Sequence, residues 1–370
     1  MMRTVSVVVC TRNRSAYLQR CISSLLTQSI KPKEIIIVDD ASDETNDAIQ
    51  MLNTVFSSIH NKVSNLLSEN IEIKYIRNKH RQGVVRSRNI GIMVAKGSIV
   101  AFIDDDGYAH RDWIRNLRRC YQKKNIVSVG GPVVEVGRHI ETRPRFKRLS
   151  YVTQYGDIKH NYRVKKFMDT KSLRSGTVKF LMGGNMSFRR NILLKLYGFN
   201  SQYKGNYYRE ETDMCMRVSK IGKIVFEPSA VAYHNTAKYG GTRDIMHLEN
   251  FLYWYFRNTI LLFFRHFDLK NATTKTWRQC SKYFSGVRNG TIKVNRDYLL
   301  VSASSKILLA ILTGTIMGIF IGLIFDKPLK KLVYKHPEYA TLITIALVGT
   351  TFQIVDYRNV ENVIRHLDKF

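Results

Sequence analysis

Four short runs of apolar, mostly β-branched residues in the first 105 positions constrain the fold of this chain most. The runs are Thr4–Cys10, Glu34–Val38, Ile71–Ile76 and Ile99–Ile103. The first two runs are typical of strands that are buried on both faces of a sheet, and the other two are predicted to be further strands. Apolar residues at helical spacing lie between them, first after Ser15 and again over Val84–Ala95, with Gly97 just beyond the second helix. The alternation of strands and helices predicts an α/β fold with a mostly parallel, doubly wound sheet.

Three of these predicted strands end in polar or acidic clusters, namely Thr11–Asn13, Asp39-Asp40 and Asp104–Asp106. In such sheets, ligands bind beyond the carboxyl ends of the strands. Neighbouring carboxylates repel one another unless a cation lies among them, and Mg²⁺ and Mn²⁺ prefer carboxylate oxygens. Because Asp104 and Asp106 are two residues apart after an extended run, both can face one crevice. The spacing predicts a metal site, with a plain acidic turn at Asp106-Gly107 as the alternative.

A second group of candidate residues lies further along the chain. The run Arg209–Asp213 places carboxylates at the start of a predicted helix, where negative charge suits the helix dipole. The same carboxylates could serve a reaction as a general base. A short predicted strand, Val231–His234, ends in a histidine, which is more often a packed or surface residue than a ligand. The proposed metal site makes it a candidate ligand.

The charge of the chain calls for an anionic partner. Lys and Arg number 59 against 29 Asp and Glu, a formal charge of +30. Nucleic acid, anionic lipid and phosphorylated small molecules would fit, and a well-solvated basic surface is the alternative. Arg138–Lys179 interleaves basic and aromatic residues, as RNA-binding surfaces do, but it carries no nucleic-acid module pattern. No nucleic-acid partner is therefore expected.

At this point the motifs resemble those of the family 2 glycosyltransferases, which have a GT-A fold and invert the configuration of the transferred sugar. The resemblance extends in order over residues 5–234. Its segments are VSVVVCTRNR (5–14), IIIVDDASDET (35–45), NKHRQGVVRSRNIGI (78–92), GSIVAFIDDDGYAHRDWI (97–114), MGGNMSFRR (182–190), YGFN (197–200), REETDMCMRVSKIG (209–222) and VFEPSAVAYH (225–234). It implies an enzyme that transfers a sugar from a nucleotide-diphosphate sugar to a hydroxyl or phosphate of an acceptor.

The resemblance also implies roles for individual residues. The residues implied to bind the nucleotide sugar are Thr11, Asn13, Asp39, Asp40, Arg88 and Asp105. Asp104 and Asp106 match the Asp-x-Asp motif of the family, and His234 matches a position that supplies a ligand in some members. The implied cofactor is Mn²⁺ or Mg²⁺, which would stabilise the diphosphate leaving group as a Lewis acid.

The catalytic base is the point at which the sequence departs from the family pattern. A carboxylate of a Glu-Asp motif takes the proton of the acceptor in this family, and here the pair is Glu210-Glu211. The extra methylene moves the carboxylate by roughly an ångström, which can cost about a hundredfold in rate. Asp213 is the rival base. Two alternatives follow: a catalytically weak nucleotide-sugar-binding protein on the same fold, and a basic RNA-binding protein that uses Arg138–Lys179.

The sequence predicts three regions. The first is a GT-A catalytic domain over 1–250, with a nucleotide-sugar-binding half (1–135) and an acceptor half (136–250). A helical connector over 251–300 and a hydrophobic, membrane-associated region over 301–370 follow it. Within the connector, Phe251–Phe264 predicts an amphipathic helix that packs on the catalytic domain or on lipid. The five cysteines are scattered without a CxxC pair, which argues against a disulfide scaffold or zinc ribbon and favours a reducing compartment.

The carboxyl-terminal region contains two uncharged stretches, Ile307–Phe325 and Tyr339–Val355. The first is near membrane-spanning length, and its Gly314, Gly318 and Gly322 are spaced for close helix contacts. Basic residues flank it on both sides, so a re-entrant or interfacial hairpin and a soluble helical tail are alternatives to a span. We expect an anionic membrane surface as a partner, a glycan or lipid-linked acceptor, and a location on the cytoplasmic face of a membrane.

Overall fold

The computed structural model describes most of the first 288 residues and three short stretches beyond them. The described ranges are 3–43, 71–136, 150–152, 158–160, 163–164, 170–171, 173–241, 248–288, 291–294, 297–300 and 311–319. Two compact units make up the chain, the first formed by Met1–Thr153 with Ile158–Ile245 and the second by Gln154–Asp157 with Met246–Phe370. The finer division into two halves of a catalytic domain stays a prediction.

Strands and helices alternate through the first part of the first unit. They are β1 (Val5–Thr11), α1 (Ser15–Leu26), β2 (Glu34–Asp39), β3 (Glu72–Arg77), α2 (Val84–Val94), β4 (Ile99–Phe102), β5 (Gly107–Ala109), α3 (Trp113–Cys120), β6 (Ile126–Gly130) and β7 (Val133–Glu135). The four predicted strands and the two predicted helices are all present, each within two residues of its expected bounds.

The rest of the chain adds shorter strands and then long helices. In the first unit these are β8 (Ser150–Val152), β9 (Ile158–His160), β10 (Arg163–Val164), β11 (Gly176–Thr177), β12 (Met186–Arg189), α4 (Arg190–Lys195), α5 (Glu210–Val218), β13 (Lys223–Phe226) and β14 (Ala232–His234). In the second unit they are α6 (Leu248–His266), α7 (Leu269–Arg288), β15 (Thr291–Val294), β16 (Asp297–Leu300) and a helix over 311–319.

An eight-stranded sheet in the order β11-β13-β6-β12-β4-β1-β2-β3 is the centre of the first unit. Strands β4, β1, β2 and β3 run parallel, as β13 and β6 do, whereas β12 lies antiparallel between β4 and β6. A smaller sheet has the order β10-β7-β14-β5. The α/β class with a mostly parallel central sheet is therefore confirmed.

The apolar runs of β1, β2 and β4 form the core because they are buried on both faces of the large sheet, whereas β3, at the edge of the sheet, is only partly buried. All residues of β2 and β4 are buried, and α1 buries Leu18, Cys21, Ile22 and Leu25 against the same core. Residues spaced three and four apart lie on one face of a helix, so α1 covers the sheet with this stripe. All five cysteines carry free thiols.

The helices of the second unit differ from the prediction in one respect. Each residue of α6 from Tyr255 to Phe264 is buried, so the middle of this helix is covered on all sides, and the predicted amphipathic pattern is wrong there. Gly314 and Gly318 do lie close to α6. A Cβ on Gly314 would be 2.4 Å from the backbone carbonyl oxygen of Tyr253, and a Cβ on Gly318 would be 2.7 Å from that of Arg257. None of the helices among the described residues is long and apolar enough to span a bilayer. The stretch Tyr339–Val355 lies outside the described residues.

Candidate active site

The polar ends of the parallel strands meet at one edge of the large sheet, because the register of the strands aligns them. Thr11 at the end of β1 pairs with Asp39 at the end of β2. The next residue, Asp40, donates its backbone N–H to the Thr11 carbonyl at 2.9 Å. Strand β4, on the other side of β1, ends just before Asp104–Asp106. The three clusters that the sequence singled out are thus brought together.

Asp104, Asp106 and His234 form a group that could hold a metal ion. A carboxylate oxygen from each aspartate and a ring nitrogen of His234 all lie within 4.8 Å of one another. Strand pairing explains the approach, since β14 runs antiparallel to β5 with His234 opposite Gly107. The Nε2 atom of His234 is 3.2 Å from Oδ1 of Asp106. Residues more than 125 positions apart in the sequence therefore meet in the structure.

Glu135, a residue that sequence reasoning missed, contacts the other ring nitrogen of His234. The Nδ1 atom of His234 is 2.9 Å from a Glu135 carboxylate oxygen, because the two residues face each other across β7 and β14. Burial alone would lower the pKa of His234, but the hydrogen bonds with Asp106 and Glu135 raise it to about 9. A carboxylate on the second nitrogen is the usual way to orient a ligating histidine. The sequence feature that could have pointed to Glu135 is its position as an acidic residue at the end of the short apolar strand Val133–Glu135.

Asp105 points away from this group, toward β1. Its two carboxylate oxygens accept hydrogen bonds from the Thr11 hydroxyl and from the Arg14 guanidinium, both at 2.8 Å. Arg14 also lies 3.5 Å from Asp106 and donates to the backbone carbonyls of Tyr239 and Gly240. Sequence reasoning did not single out Arg14, although it lies in the polar run that follows β1. This arginine joins the acidic turn to the segment that follows β14.

Arg88 links the acidic turn to the start of α5. It is buried, forms an ion pair with Glu210, and lies 3.4 Å from Asp104. The Gly183-Gly184 pair passes against this arrangement, and a Cβ on Gly184 would lie 2.7 Å from the Asp104 carboxylate. The other carboxylate oxygen of Glu210 accepts no hydrogen bond from the described residues. Glu210 is therefore joined to Asp104 through one guanidinium.

The two rival bases have different surroundings. Asp213 is fully buried, and its carboxylate accepts from Arg217 Nε at 2.8 Å and from the Tyr203 hydroxyl at 3.4 Å. Glu211 is only partly buried. Burial raises the pKa of the Glu211 carboxyl and the charge of Asp104 adds to this rise, against the opposing effect of nearby arginines. Of the two, Glu211 has the side chain that a substrate could reach.

The residues implied to bind the nucleotide are mostly held by the protein itself. Asp39 is fully buried and accepts from Ser42 and from the Tyr75 hydroxyl. Asp40 accepts from the backbone N–H groups of Gln82 and Gly83, each at 2.7 Å, which fixes the start of α2. The side chain of Asn13 exchanges hydrogen bonds with Asp43. These groups shape the loops around the strand ends, and their contact with a nucleotide stays a prediction.

Acidic groups outnumber basic groups among the side chains that these ion pairs join. The carboxylates are Asp104, Asp105, Asp106, Glu135 and Glu210, and the partners are Arg14, Arg88 and His234. Five carboxyl groups therefore meet three basic groups. Carboxylate oxygens suit Mn²⁺ or Mg²⁺, and a divalent cation would add positive charge among these acidic groups. The donor set therefore fits such a cofactor.

Comparisons with known proteins identify the family of the chain. A family model described as glycosyl transferase family 2 matches residues 6–197. The glucosyl-dolichyl phosphate glucuronosyltransferase of Haloferax volcanii is 30% identical over 284 residues, which cover 73% of this chain and 82% of the relative. An uncharacterized glycosyltransferase of Haemophilus influenzae is 27% identical, with 61% of this chain aligned to 64% of that relative. This chain thus spans most of the first relative but less than two thirds of the second.

A solved structure shares the fold. The crystal structure of S. aureus TarS 1-349 in complex with UDP-GlcNAc superposes with a TM-score of 0.52 and 16% sequence identity, over 98% of this chain and 92% of that one. At this level of identity the likeness shows the architecture alone. It confirms the predicted GT-A arrangement of a central sheet with flanking helices.

Proposed function

The chain belongs to glycosyl transferase family 2, and from this premise we propose that it is an inverting, metal-assisted enzyme with a nucleotide-diphosphate sugar as donor. The acceptor we propose is a hydroxyl or phosphate of a glycan or a lipid-linked molecule. The observation that carries the proposal is the meeting of Asp104, Asp106 and His234 at the carboxyl ends of the strands. The excess of carboxylates around them supports a cationic occupant.

Each part of the site has a task in this reaction. Asp104, Asp106 and His234 would hold the divalent cation, which would supply Lewis-acid stabilisation to the diphosphate that leaves. Glu135 orients the imidazole of His234 through Nδ1, so that Nε2 faces the aspartates. Arg88 holds Glu210 close to Asp104 and fixes the distance between the donor side and α5.

We assign the general base to Glu211. An acceptor hydroxyl is a weak nucleophile at neutral pH and needs a positioned group that takes its proton. Asp213 is committed to Arg217 and Tyr203, and Glu210 is committed to Arg88, whereas Glu211 is partly accessible. A carboxyl whose pKa is raised by burial is a better proton acceptor than an ordinary surface glutamate.

A lipid-linked sugar is the acceptor class that we favour. The relative with 30% identity is named for transfer to a glucosyl-dolichyl phosphate. A polyprenyl phosphate that carries a sugar offers both a hydroxyl nucleophile and an anionic group. The basic character of the chain, with a formal charge of +30, is suited to such an acceptor.

The test is a donor screen that measures release of the nucleoside diphosphate. Each nucleotide-diphosphate sugar is incubated with the full chain and a membrane lipid extract, with Mn²⁺, with Mg²⁺, or with a chelator. We expect release with one or a few donors, dependence on the metal, and a product whose anomeric configuration by NMR is opposite to that of the donor. Asp106→Asn should lower kcat/KM by about 10²- to 10³-fold.

Asp112→Asn is the matched control, because it removes the same charge from a partly exposed aspartate of the same unit. Equal activity of Asp106→Asn and Asp112→Asn would remove the metal role from the acidic turn. Nucleotide-sugar binding without turnover across the whole panel would favour the catalytically weak binding protein instead.

A further inference from the structure

Helix α7 in the second unit presents an outward face of unusual composition. Its twenty residues contain no Asp or Glu, and its basic residues are Lys270, Lys275, Arg278, Lys282 and Arg288. Trp277 on this helix is 73% exposed, although tryptophan is among the largest apolar side chains. Such exposure on a basic helix is a reason to seek a partner for this surface.

The packing of the helix fixes which face is outward. Ala272, Thr276, Gln279 and Tyr283 are buried, at the i, i+4, i+7, i+11 spacing of one face of a helix. Gln279 donates a hydrogen bond to the Tyr255 hydroxyl of α6 at 2.9 Å. The Tyr283 ring packs edge-on against the Phe256 ring, with 4.9 Å between the ring centroids. These contacts with α6 hold α7 in one rotational setting.

The opposite face carries Lys270, Thr274, Trp277 and Ser281 at the same spacing, with Arg278 and Lys282 beside them. Lys270, Trp277, Arg278 and Lys282 are all exposed. Lys270 lies two turns before Trp277, about 10 Å along the axis, and Lys282 lies a little more than one turn after it. Basic side chains therefore border the tryptophan on both sides, along a helix without acidic residues.

We propose that this face, formed by Lys270, Trp277, Arg278 and Lys282, docks the protein on an anionic phospholipid membrane. Tryptophan prefers the boundary between headgroups and acyl chains, and Lys and Arg are attracted to anionic headgroups. The charge of the face complements such a surface. An interfacial helix of this kind lies parallel to the membrane and needs no spanning segment. The inference rests on the proposed function only in that a lipid-linked acceptor would be found at the same surface.

The first experiment measures sedimentation of the full chain with vesicles, without any sugar nucleotide. Vesicles of equal parts phosphatidylcholine and phosphatidylglycerol are compared with vesicles of phosphatidylcholine alone. Each basic residue near an anionic surface strengthens binding about fivefold, so Lys270→Gln, Arg278→Gln and Lys282→Gln together should weaken binding to the anionic vesicles by about a hundredfold.

The matched control is Lys195→Gln, Lys220→Gln and Lys223→Gln, which removes the same charge from exposed lysines of the first unit. It should bind anionic vesicles within about threefold of the native chain. Equal binding by the native chain and the α7 variant would overturn the proposal. So would equal weakening by the two triple variants, because only total charge would then matter.

The second experiment places the tryptophan in the membrane. Brominated lipid should quench part of the tryptophan fluorescence of the native chain, and Trp277→Phe should abolish that quenching while it still binds the vesicles. Quenching that persists in Trp277→Phe would show that another segment inserts, and would contradict the proposal. Tight RNA binding lost in the α7 triple variant, with vesicle binding unchanged, would assign the face to RNA instead.

These outcomes are separate from those of the donor screen. Sugar transfer without vesicle binding would overturn the docking surface and leave the enzymatic proposal intact. Vesicle binding without transfer to any acceptor would do the reverse.

Discussion

The two ends of the large sheet both bury acidic side chains, but the amino end buries one carboxylate among several donors and the carboxyl end gathers five carboxyl groups. At the amino end, Glu34 is fully buried and its carboxylate accepts from the Ser6 hydroxyl, the Lys74 ammonium and the Lys96 backbone N–H. At the carboxyl end, five carboxylates share two arginines and one histidine. A buried carboxylate stabilises the fold only when hydrogen bonds and opposite charge compensate its burial.

This difference separates a structural network from a binding site within one sheet. The Glu34 network is complete without a ligand, so its substitution should change stability and leave transfer unchanged. The cluster around Asp104 and Asp106 brings five carboxyl groups and one imidazole together, so it is suited to a cation and an anionic donor. Substitutions there should change activity far more than stability. The predictions below test this separation, from the largest expected effect to the smallest.

The largest effect is expected at Glu211. Glu211→Gln should lower kcat by about 10³-fold, because a positioned general base contributes about 10²- to 10⁴-fold. KM for the donor should change little, since the carboxylate acts on the acceptor. Steady-state release of nucleoside diphosphate measures both constants, and thermal unfolding should show a Tm close to that of the native chain.

Asp213→Asn is the comparison for this prediction. Its carboxylate is fully buried and joined to Arg217, so its replacement should lower Tm and leave kcat within about tenfold. The reverse pattern, with a large loss of kcat in Asp213→Asn and a small one in Glu211→Gln, would move the base to Asp213. Glu211→Asp restores the aspartate of the family's Glu-Asp motif and should keep more activity than Glu211→Gln.

The sequence predicted the parts of the site that depend on strand order. Parallel strands bring their carboxyl ends to one edge of a sheet. The sequence alone therefore predicts that the clusters after β1, β2 and β4 lie close together. The sequence also singled out His234 and the carboxylates of Arg209–Asp213, more than 100 residues further along the chain, and the resemblance gave them roles. Only the positions of the clusters after β1, β2 and β4 follow from strand order alone.

The sequence did not show how the carboxylates share their partners. Asp105 turns toward Thr11 and Arg14, whereas its neighbour Asp106 turns toward His234, and the difference depends on side-chain packing rather than on residue type. Arg14 was missed because an arginine in a polar loop has no spacing that marks a partner. The α6 prediction was wrong in its middle for a related reason, since periodicity cannot show how many neighbours cover a helix.

The second prediction concerns Glu34 at the amino end of the sheet. Glu34→Gln should lower the free energy of unfolding by about 2 kcal/mol at neutral pH, because hydrogen bonds to a charged group are worth about 1.5 to 3 kcal/mol. Sugar transfer should remain within about twofold of the native rate. Chemical denaturation measures the first quantity and the donor assay the second. A large loss of activity in Glu34→Gln without loss of stability would break the separation between the two ends.

The same variant has an expected pH dependence. Burial raises the pKa of Glu34, but hydrogen bonds from Lys74, Ser6 and the Lys96 N–H outweigh it and hold the pKa below the ordinary value of 4.5. The ionised form is thus favoured by folding, and its contribution is present above the unfolded pKa and lost as the pH falls through the folded pKa. The stability difference between the native chain and Glu34→Gln should therefore shrink below about pH 4.5. A difference that stays constant there would contradict the role of the charge.

The smallest effect is expected from the Gly183-Gly184 pair, and it tests how closely the side chains pack at the carboxyl end of the sheet. A Cβ on Gly184 would lie 2.7 Å from the Asp104 carboxylate, so Gly184→Ala forces that side chain to move. The affinity for Mn²⁺ should fall by about tenfold, or about 1.4 kcal/mol, as measured by calorimetry on the full chain. Gly183→Ala is the control, because its Cβ would meet Arg88 at a milder 3.2 Å. Equal affinities in the two variants would mean that Asp104 does not bind the metal in the position seen here.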